Sequence, residues 1–230
     1  MSKDIGKDRV YIIGEIGINH NGILATALKL IDVAKAAGCD AVKFQKRTVD
    51  VVYTADELAR PRESVFGSTN GDLKRGLEFD RHAYAQILNY CRIIGLDVGV
   101  SCWDQGSLDF FRAEISPDFL KVASASITDL ALTDATNKAS YRLDCPIVVS
   151  TGGSTMDEIH ACLGMMGENV KALLHCVSEY PCPVDRCNLQ MIRTLRDEFA
   201  DHIAIGYSGH ETGIAPTLAA VAMGARVIER

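Results

Sequence analysis

Eight short runs rich in Val and Ile recur along the chain, and most are separated by a segment long enough for a helix. They are Val10 to Ile16, Asp40 to Gln45, Asp97 to Ser101, Phe119 to Ser124, Ile147 to Thr151, Ala172 to Cys176, Ile203 to Ser208 and Val227 to Arg230. Apolar runs of strand length alternating with segments of helical period are the pattern of strand-helix units around a parallel sheet. Eight units within 230 residues predict a single-domain α/β fold, a (β/α)8 barrel of the TIM type spanning residues 1–230. An open doubly wound sheet uses about five or six strands, and no G-x-G-x-x-G follows the first run to give such a sheet its phosphate turn.

The intervening segments support the same reading. Ala25 to Ala37 sets Leu28, Ile31, Ala34 and Ala37 on one face, and Ala83 to Ile94 does the same with Ile87, Leu88 and Cys91. Gly38 and Gly95 follow these helices where a left-handed cap is wanted, while Ser107 and Thr155 are placed to act as N-caps. Between Arg47 and Phe79 no period is visible, and an irregular loop of that length is uncommon unless it is functional. The eighth run reaches the last residue, so a barrel ending at strand 8 without its final helix is expected, with an apolar edge left open to association.

Composition narrows the function classes. With a formal net charge of -6 and no cluster of Lys and Arg, the chain has no surface for a nucleic-acid backbone. No apolar run approaches the roughly 20 residues that span a bilayer, and the polar N-terminus is no signal peptide. The eight cysteines include no C-x-x-C pair, which suits reduced, mostly buried thiols in a cytoplasmic protein.

Barrel active sites form at the C-terminal ends of the strands, and here every run ends in polar groups. The first gives Glu15, Asn19 and His20, the second Lys43, Gln45, Lys46 and Arg47, the third Ser101, Cys102, Trp103 and Asp104. Lys121, Ser124 and Ser126, then Ser150, Thr151 and Gly152, then His175, Ser178, Glu179 and Tyr180 follow. Ser208, Gly209, His210 and Glu211 come next, with Glu229 at the last run.

Period-two geometry sets Lys43 and Gln45 on one face. A buried lysine is costly without a compensating anion, so Lys43 and Lys121, each inside an apolar run, predict a bound phosphate or carboxylate; the alternative is a pair of frayed strand ends. Ser124, Ser150 and Thr151 would add hydroxyl donors, and Gly152 close backbone approach. Glu15, inside a strand, needs a cation, a water or a substrate hydroxyl, or else pairs with a barrel lysine. His210, presented between Gly209 and Gly213, reads as a metal ligand, a general acid-base or a hydrogen-bonding loop residue. His20 carries the same readings, and His175 reads as a satisfied core residue. No G-x-S-x-G elbow is present.

In order and spacing, the strings IIGEIGINHNG, AGCDAVKFQKR, SCWDQGSLDF, LKVAS, IVVSTGG, LLHCVSEYP, IGYSGHETG and GARVIER resemble the sialic acid synthase family of N-acetylneuraminate and related nonulosonate synthases. The resemblance implies an enzyme that condenses phosphoenolpyruvate with an N-acetylated hexosamine such as N-acetylmannosamine. It implies a divalent cofactor, Mn2+ with Mg2+ or Co2+ as alternatives, and a homodimer in which a C-terminal antifreeze-like domain closes the partner's site. By motif it assigns phosphoenolpyruvate to Lys43, Gln45, Lys121, Ser124, Ser150, Gly152, Ser178 and Ser208. It gives Tyr180 to the sugar, His210 to the metal, Glu15 to the attacking water and Glu229 to a place beside metal and sugar.

Cys102 and the Ala125-Ser126 pair depart from the family's common threonine and Gly-Glu, which bears on the sugar rather than the reaction, and Ser178 stands at the variable position before the Tyr-Pro. The family's second histidine ligand would follow Arg230, so the chain alone is expected to be truncated and inactive. Two other functions fit the residues: a non-catalytic phosphoenolpyruvate or phosphosugar binder, and an octulosonate- or heptulosonate-phosphate type synthase, which would need a further basic site.

Overall fold

In the computed structural model, which describes residues 5–230, ten strands and ten α-helices follow one another. The strands are β1 (Tyr11–Gly17), β2 (Ala41–Lys46), β3 (Pro61–Ser64), β4 (Gly67–Thr69), β5 (Asp97–Cys102), β6 (Phe119–Val122), β7 (Ile147–Ser150), β8 (Val170–Cys176), β9 (Ala204–Ser208) and β10 (Val227–Glu229). The helices are α1 (Leu24–Ala36), α2 (Val49–Val52), α3 (Ala55–Ala59), α4 (Asn70–Gly76), α5 (Arg81–Ile94), α6 (Gln105–Phe110), α7 (Leu130–Leu143), α8 (Met156–Met166), α9 (Gln190–Phe199) and α10 (Ala215–Ala222). Eight of the strands close into a parallel barrel in the order β1-β10-β9-β8-β7-β6-β5-β2.

The expected open edge is absent. The three residues of β10 pair with Tyr11 to Ile13 on one side and with Gly206 to Ser208 on the other. Every barrel strand thus has two neighbours, and closure removes edges altogether. The sixth expected run begins two residues earlier than read, and the fourth ends at Val122 because Ser124–Ser126 turns into a 3-10 helix.

The segment from Arg47 to Phe79 is not irregular. It holds α2, α3, the antiparallel hairpin β3-β4 and α4, elements too short to show a period. Its caps were nevertheless written in the sequence: Thr54 with Glu57, and Thr69 with Asp72, form capping boxes. Glu78 ties the base of this excursion to β2, accepting from Lys46 Nζ at 3.0 Å and Arg47 Nε at 2.9 Å. A second tie runs from the backbone N–H of Thr48 to Asp104 at 2.7 Å. Asp104, not Ser107, is the N-cap of α6; it accepts both the N–H and the hydroxyl of Ser107. Thr155 does cap α8, in a third capping box, and Gly95 ends α5 in the left-handed conformation.

Alternation sorts the side chains. Outward residues such as Val42, Phe44, Val98 and Val100 pack against α1 and α5, Leu120 against α7, and Val149, Leu173, Ile205 and Ile228 against the helices opposite. Inward residues near the strand starts form an apolar plug of Tyr11, Ile13, Ala41, Phe119, Val148, Ala172, Leu174 and Val227. Space in that plug is exact to an atom at Gly99, where a Cβ would lie 2.1 Å from the Phe119 ring. The cysteines are all free thiols, Cys39 half-buried and the other seven buried. Among the described residues no helix is long and apolar enough to cross a membrane.

Candidate active site

One step further along each strand the inward positions change character. Above the apolar plug stand Glu15, Lys43, Gln45, Ser101, Lys121, Ser150, Cys176, Ser208 and Glu229, which line a cavity of about 600 Å3 at the C-terminal mouth. The same alternation that put apolar side chains inside the lower barrel therefore puts a ring of polar ones above it. Ser124, Ser178, Tyr180 and His210 reach the cavity from the loops after β6, β8 and β9.

The two lysines are 4% and 3% exposed, and their charge is met from within the protein. Lys43 Nζ lies 2.8 Å from Glu15 Oε2 and 3.8 Å from Glu229 Oε1; Lys121 Nζ lies 3.7 Å from Glu229 Oε2. Glu15 takes the paired role weighed for it, and Glu229 bridges both cations, so the lysines carry internal partners in addition to any anion the cavity takes up. Lys43 also donates to Ser101 Oγ at 3.2 Å, and Lys121 to Ser150 Oγ at 2.6 Å and the Val122 carbonyl at 3.0 Å. Gln45 Nε2 donates to the second oxygen of Glu15 at 3.0 Å.

Their electrostatics diverge. Burial works against the charge of Lys43, but Glu15 and Glu229 outweigh it and raise its pKa. Lys121 is lowered, because burial there wins over the pull of Glu229 and is joined by repulsion from Lys43. Glu229 is held below the ordinary carboxylate value; burial opposes this, and Lys121, Lys43 and His210 overcome it.

Gly152 lies just outside the cavity wall and shapes it. Its N–H donates to Ser124 Oγ at 2.9 Å, and a Cβ there would stand 2.5 Å from Ser178 Oγ and 2.8 Å from Ser124 Oγ. Ser208 donates to Glu229 at 3.4 Å. Tyr180 is 75% exposed and lays its ring 3.9 Å from that of His210, centroid to centroid, a position from which it can cover a ligand.

His210 Nδ1 lies 2.7 Å from the Val177 carbonyl. A carbonyl only accepts, so Nδ1 carries the proton and Nε2 keeps the lone pair of the neutral ring. Burial disfavours protonating that ring, yet the contact with Cys176, whose Sγ is 3.8 Å away, and the Val177 carbonyl raise its pKa. A divalent cation would find one ligand in Nε2. Glu229 is engaged by two lysines, and among the described residues no three His, Cys, Asp or Glu side chains are grouped to hold a metal. Catalytic sites use about three protein ligands, so the donors present do not make up a metal centre.

Other candidates are placed away from the cavity. His20 is buried, stacked on Phe79 with ring centroids 4.1 Å apart, and accepts the Gly22 N–H; burial lowers its pKa to about 4, so it is a neutral support of the rim. His175 faces outward from the barrel and bonds the Cys187 carbonyl at 2.8 Å. Ser101, Trp103 and Cys176 line the cavity although no role was assigned to them; Ser101 was legible from its alternation with Gly99. Glu211, named among the strand-end groups without a role, has one in the structure. It is buried, holds Arg230 at 2.6 Å, and accepts from Tyr207 and Thr217, fixing the segment that presents His210.

Residues 30–230 match the NeuB family. N-acetylneuraminate-9-phosphate synthase of Drosophila melanogaster is 41% identical over 97% of this chain and 60% of its own length. N,N'-diacetyllegionaminic acid synthase of Campylobacter jejuni is 33% identical over 96% of the chain and 67% of its own. The chain thus spans about 60% of the length of the first of these. Among solved structures, N-acetylneuraminic acid synthetase from Leptospira borgpetersenii in complex with citrate has a TM-score of 0.83 at 28% identity, covering 97% of this chain and 73% of that one.

Proposed function

Because the chain belongs to the NeuB family, a family of sialic and nonulosonic acid synthases, we propose that its strand-end cavity is the site where phosphoenolpyruvate condenses with an open-chain N-acylated hexosamine. The observation that carries this is the convergence of Lys43, Lys121, Ser124, Ser150, Ser178 and Ser208 on one cavity with Glu15 and Glu229. Hydroxyls and ammonium groups suit the phosphate and carboxylate of phosphoenolpyruvate. Its entry redistributes the charge: Glu15 and Glu229 shift from neutralising the lysines toward the reacting atoms, and the lysines turn to the incoming anion.

In the reaction, C3 of phosphoenolpyruvate attacks the sugar aldehyde carbon and the aldehyde oxygen takes up a proton. Water adds to C2 and gives up its protons, the bond from C2 to the bridging oxygen of the phosphate breaks, and the oxygen from water remains as the 2-keto group. The products are inorganic phosphate and a 3-deoxy-2-keto acid with three more carbons than the sugar. Glu15, with its two oxygens held by Lys43 and Gln45, is positioned to take the proton of that water, and Lys121 with Ser150 to hold the departing phosphate. Tyr180 and His210 would cover the sugar. A divalent cation, Mn2+ being the proposed identity, would meet His210 alone among these residues, so no step here runs through it.

The assay is phosphate release from phosphoenolpyruvate with mass detection of the keto acid, offered N-acetylmannosamine, its 6-phosphate and arabinose 5-phosphate in turn. Product from either N-acetylated sugar supports the proposal. Product from arabinose 5-phosphate alone would replace it with a different condensation.

A further inference from the structure

A second cavity is at the other end of the barrel. It has a volume of about 720 Å3 and is lined by residues at the strand starts, among them Ile5, Lys7, Lys171, Ala204 and Arg226, with Arg196 and Asp201 from the end of α9 and its exit. A packed barrel offers catalysis nothing at this face, and the apolar plug separates it from the polar ring above. Yet among the described residues Lys7, Lys171, Arg196 and Arg226 line it against a single carboxylate, Asp201, in a chain whose net charge is -6.

Three of these cations, Lys171, Arg196 and Arg226, are held without a carboxylate partner among the described residues. Lys171 Nζ donates to the Glu168 carbonyl at 2.8 Å, and Arg196 Nη1 to the Met223 carbonyl at 2.9 Å. Among the described residues no carboxylate lies within ion-pair distance of Lys171, Arg196 or Arg226. Gly224, at φ +102°, makes room for the Arg196 head, since a Cβ there would lie 2.4 Å from Nη1. A guanidinium carries five N–H donors, so a single carbonyl leaves most of them to be used. Positive groups brought to one cleft from β8, α9 and the approach to β10 repel one another unless an anion joins them.

We propose that this cleft binds a small polyanion bearing a diphosphate or two neighbouring phosphates. Three such cations suit two phosphate groups better than one, and the volume falls among those of small-molecule sites. The site is separate from the strand-end cavity, and its occupancy does not depend on the reaction proposed there.

The test is calorimetry with inorganic pyrophosphate as the probe, on the full chain, in low salt and again near physiological salt. Arg196→Ala/Arg226→Ala and Lys171→Glu/Arg226→Glu alter exposed side chains, and circular dichroism confirms that each variant is folded. Lys121→Ala reports on the opposite cavity. A binding step that survives Lys121→Ala, weakens with salt and loses at least about tenfold in affinity in both double variants is the expected result. No binding, unchanged affinity in the folded double variants, or loss in Lys121→Ala alone would overturn the proposal.

Discussion

Among the described residues Glu229 is the only carboxylate within 4 Å of Lys121 and the second beside Lys43, at 3.7 and 3.8 Å. Its side chain is 9% exposed, and those of Lys121 and Lys43 are 2% and 6% exposed. Replacing it by glutamine keeps the shape and an acceptor for Ser208 but strands two buried ammonium groups, of which Lys43 retains Glu15 and Lys121 retains nothing charged. Removing one partner of a buried ion pair costs about 3–5 kcal/mol, a large part of the roughly 5–15 kcal/mol that holds a domain folded. Glu229→Gln is therefore expected to lose about that much stability in urea unfolding near pH 7.

The sign of the pH dependence follows from Lys121. Its folded pKa already lies below the ordinary value, burial being the largest cause, with Glu229 pulling the other way; without Glu229 it falls further. A lysine depressed in the folded state penalises folding wherever the unfolded chain is protonated, and the penalty fades as pH rises toward the unfolded value of about 10.4. The deficit of Glu229→Gln relative to the parent is expected to shrink between about pH 7 and pH 9.5, and Lys121→Met added to it is expected to restore part of the loss. A deficit below about 1 kcal/mol, or one unaffected by both pH and Lys121→Met, would refute the charge-pairing argument.

Three more outcomes are expected. Gly152→Ala places a Cβ 2.5 Å from Ser178 Oγ, so it should weaken phosphoenolpyruvate binding by about tenfold or more while lowering the melting temperature little; unchanged affinity would remove Gly152 from the site. Gly99→Ala drives a methyl into the Phe119 ring and is expected to cost about 1–3 kcal/mol by denaturant unfolding; a neutral effect would show the plug to be loosely packed. His20 is depressed to about 4 by burial, so its ring should stay neutral by NMR from pH 7.5 to 5.5, and the stability it contributes is lost as pH falls from about 6.5 through 4. A midpoint near 6.5 would contradict its burial.

Strand periodicity made the barrel and most of the cavity readable. An inward lysine two residues before Gln45, or one between Leu120 and Val122, can be placed from alternation alone. The pairing of those lysines cannot, because Glu15 and Glu229 become neighbours of Lys43 and Lys121 only after β1, β2 and β10 close around a common axis. The same applies to Glu211, whose partners Tyr207, Thr217 and Arg230 lie on three elements. The excursion from Arg47 to Phe79 was misread for a local reason: its helices and hairpin are shorter than the window over which a period shows, and only its capping boxes betray it. Asp104 displaced Ser107 as a cap because the helix begins at Gln105, three residues before a Ser107 cap would start it, and the Asp104 carboxylate accepts the Ser107 N–H in its first turn.

The account turns on the strand-end cavity being an anion site built on Lys43 and Lys121. Titration of phosphoenolpyruvate into the chain by calorimetry, with Lys43→Ala and Lys121→Ala alongside, measures this directly. One binding site per chain, lost or weakened by at least about tenfold in each variant, is the predicted result. No binding to the parent chain, or affinity that both variants retain, would contradict it.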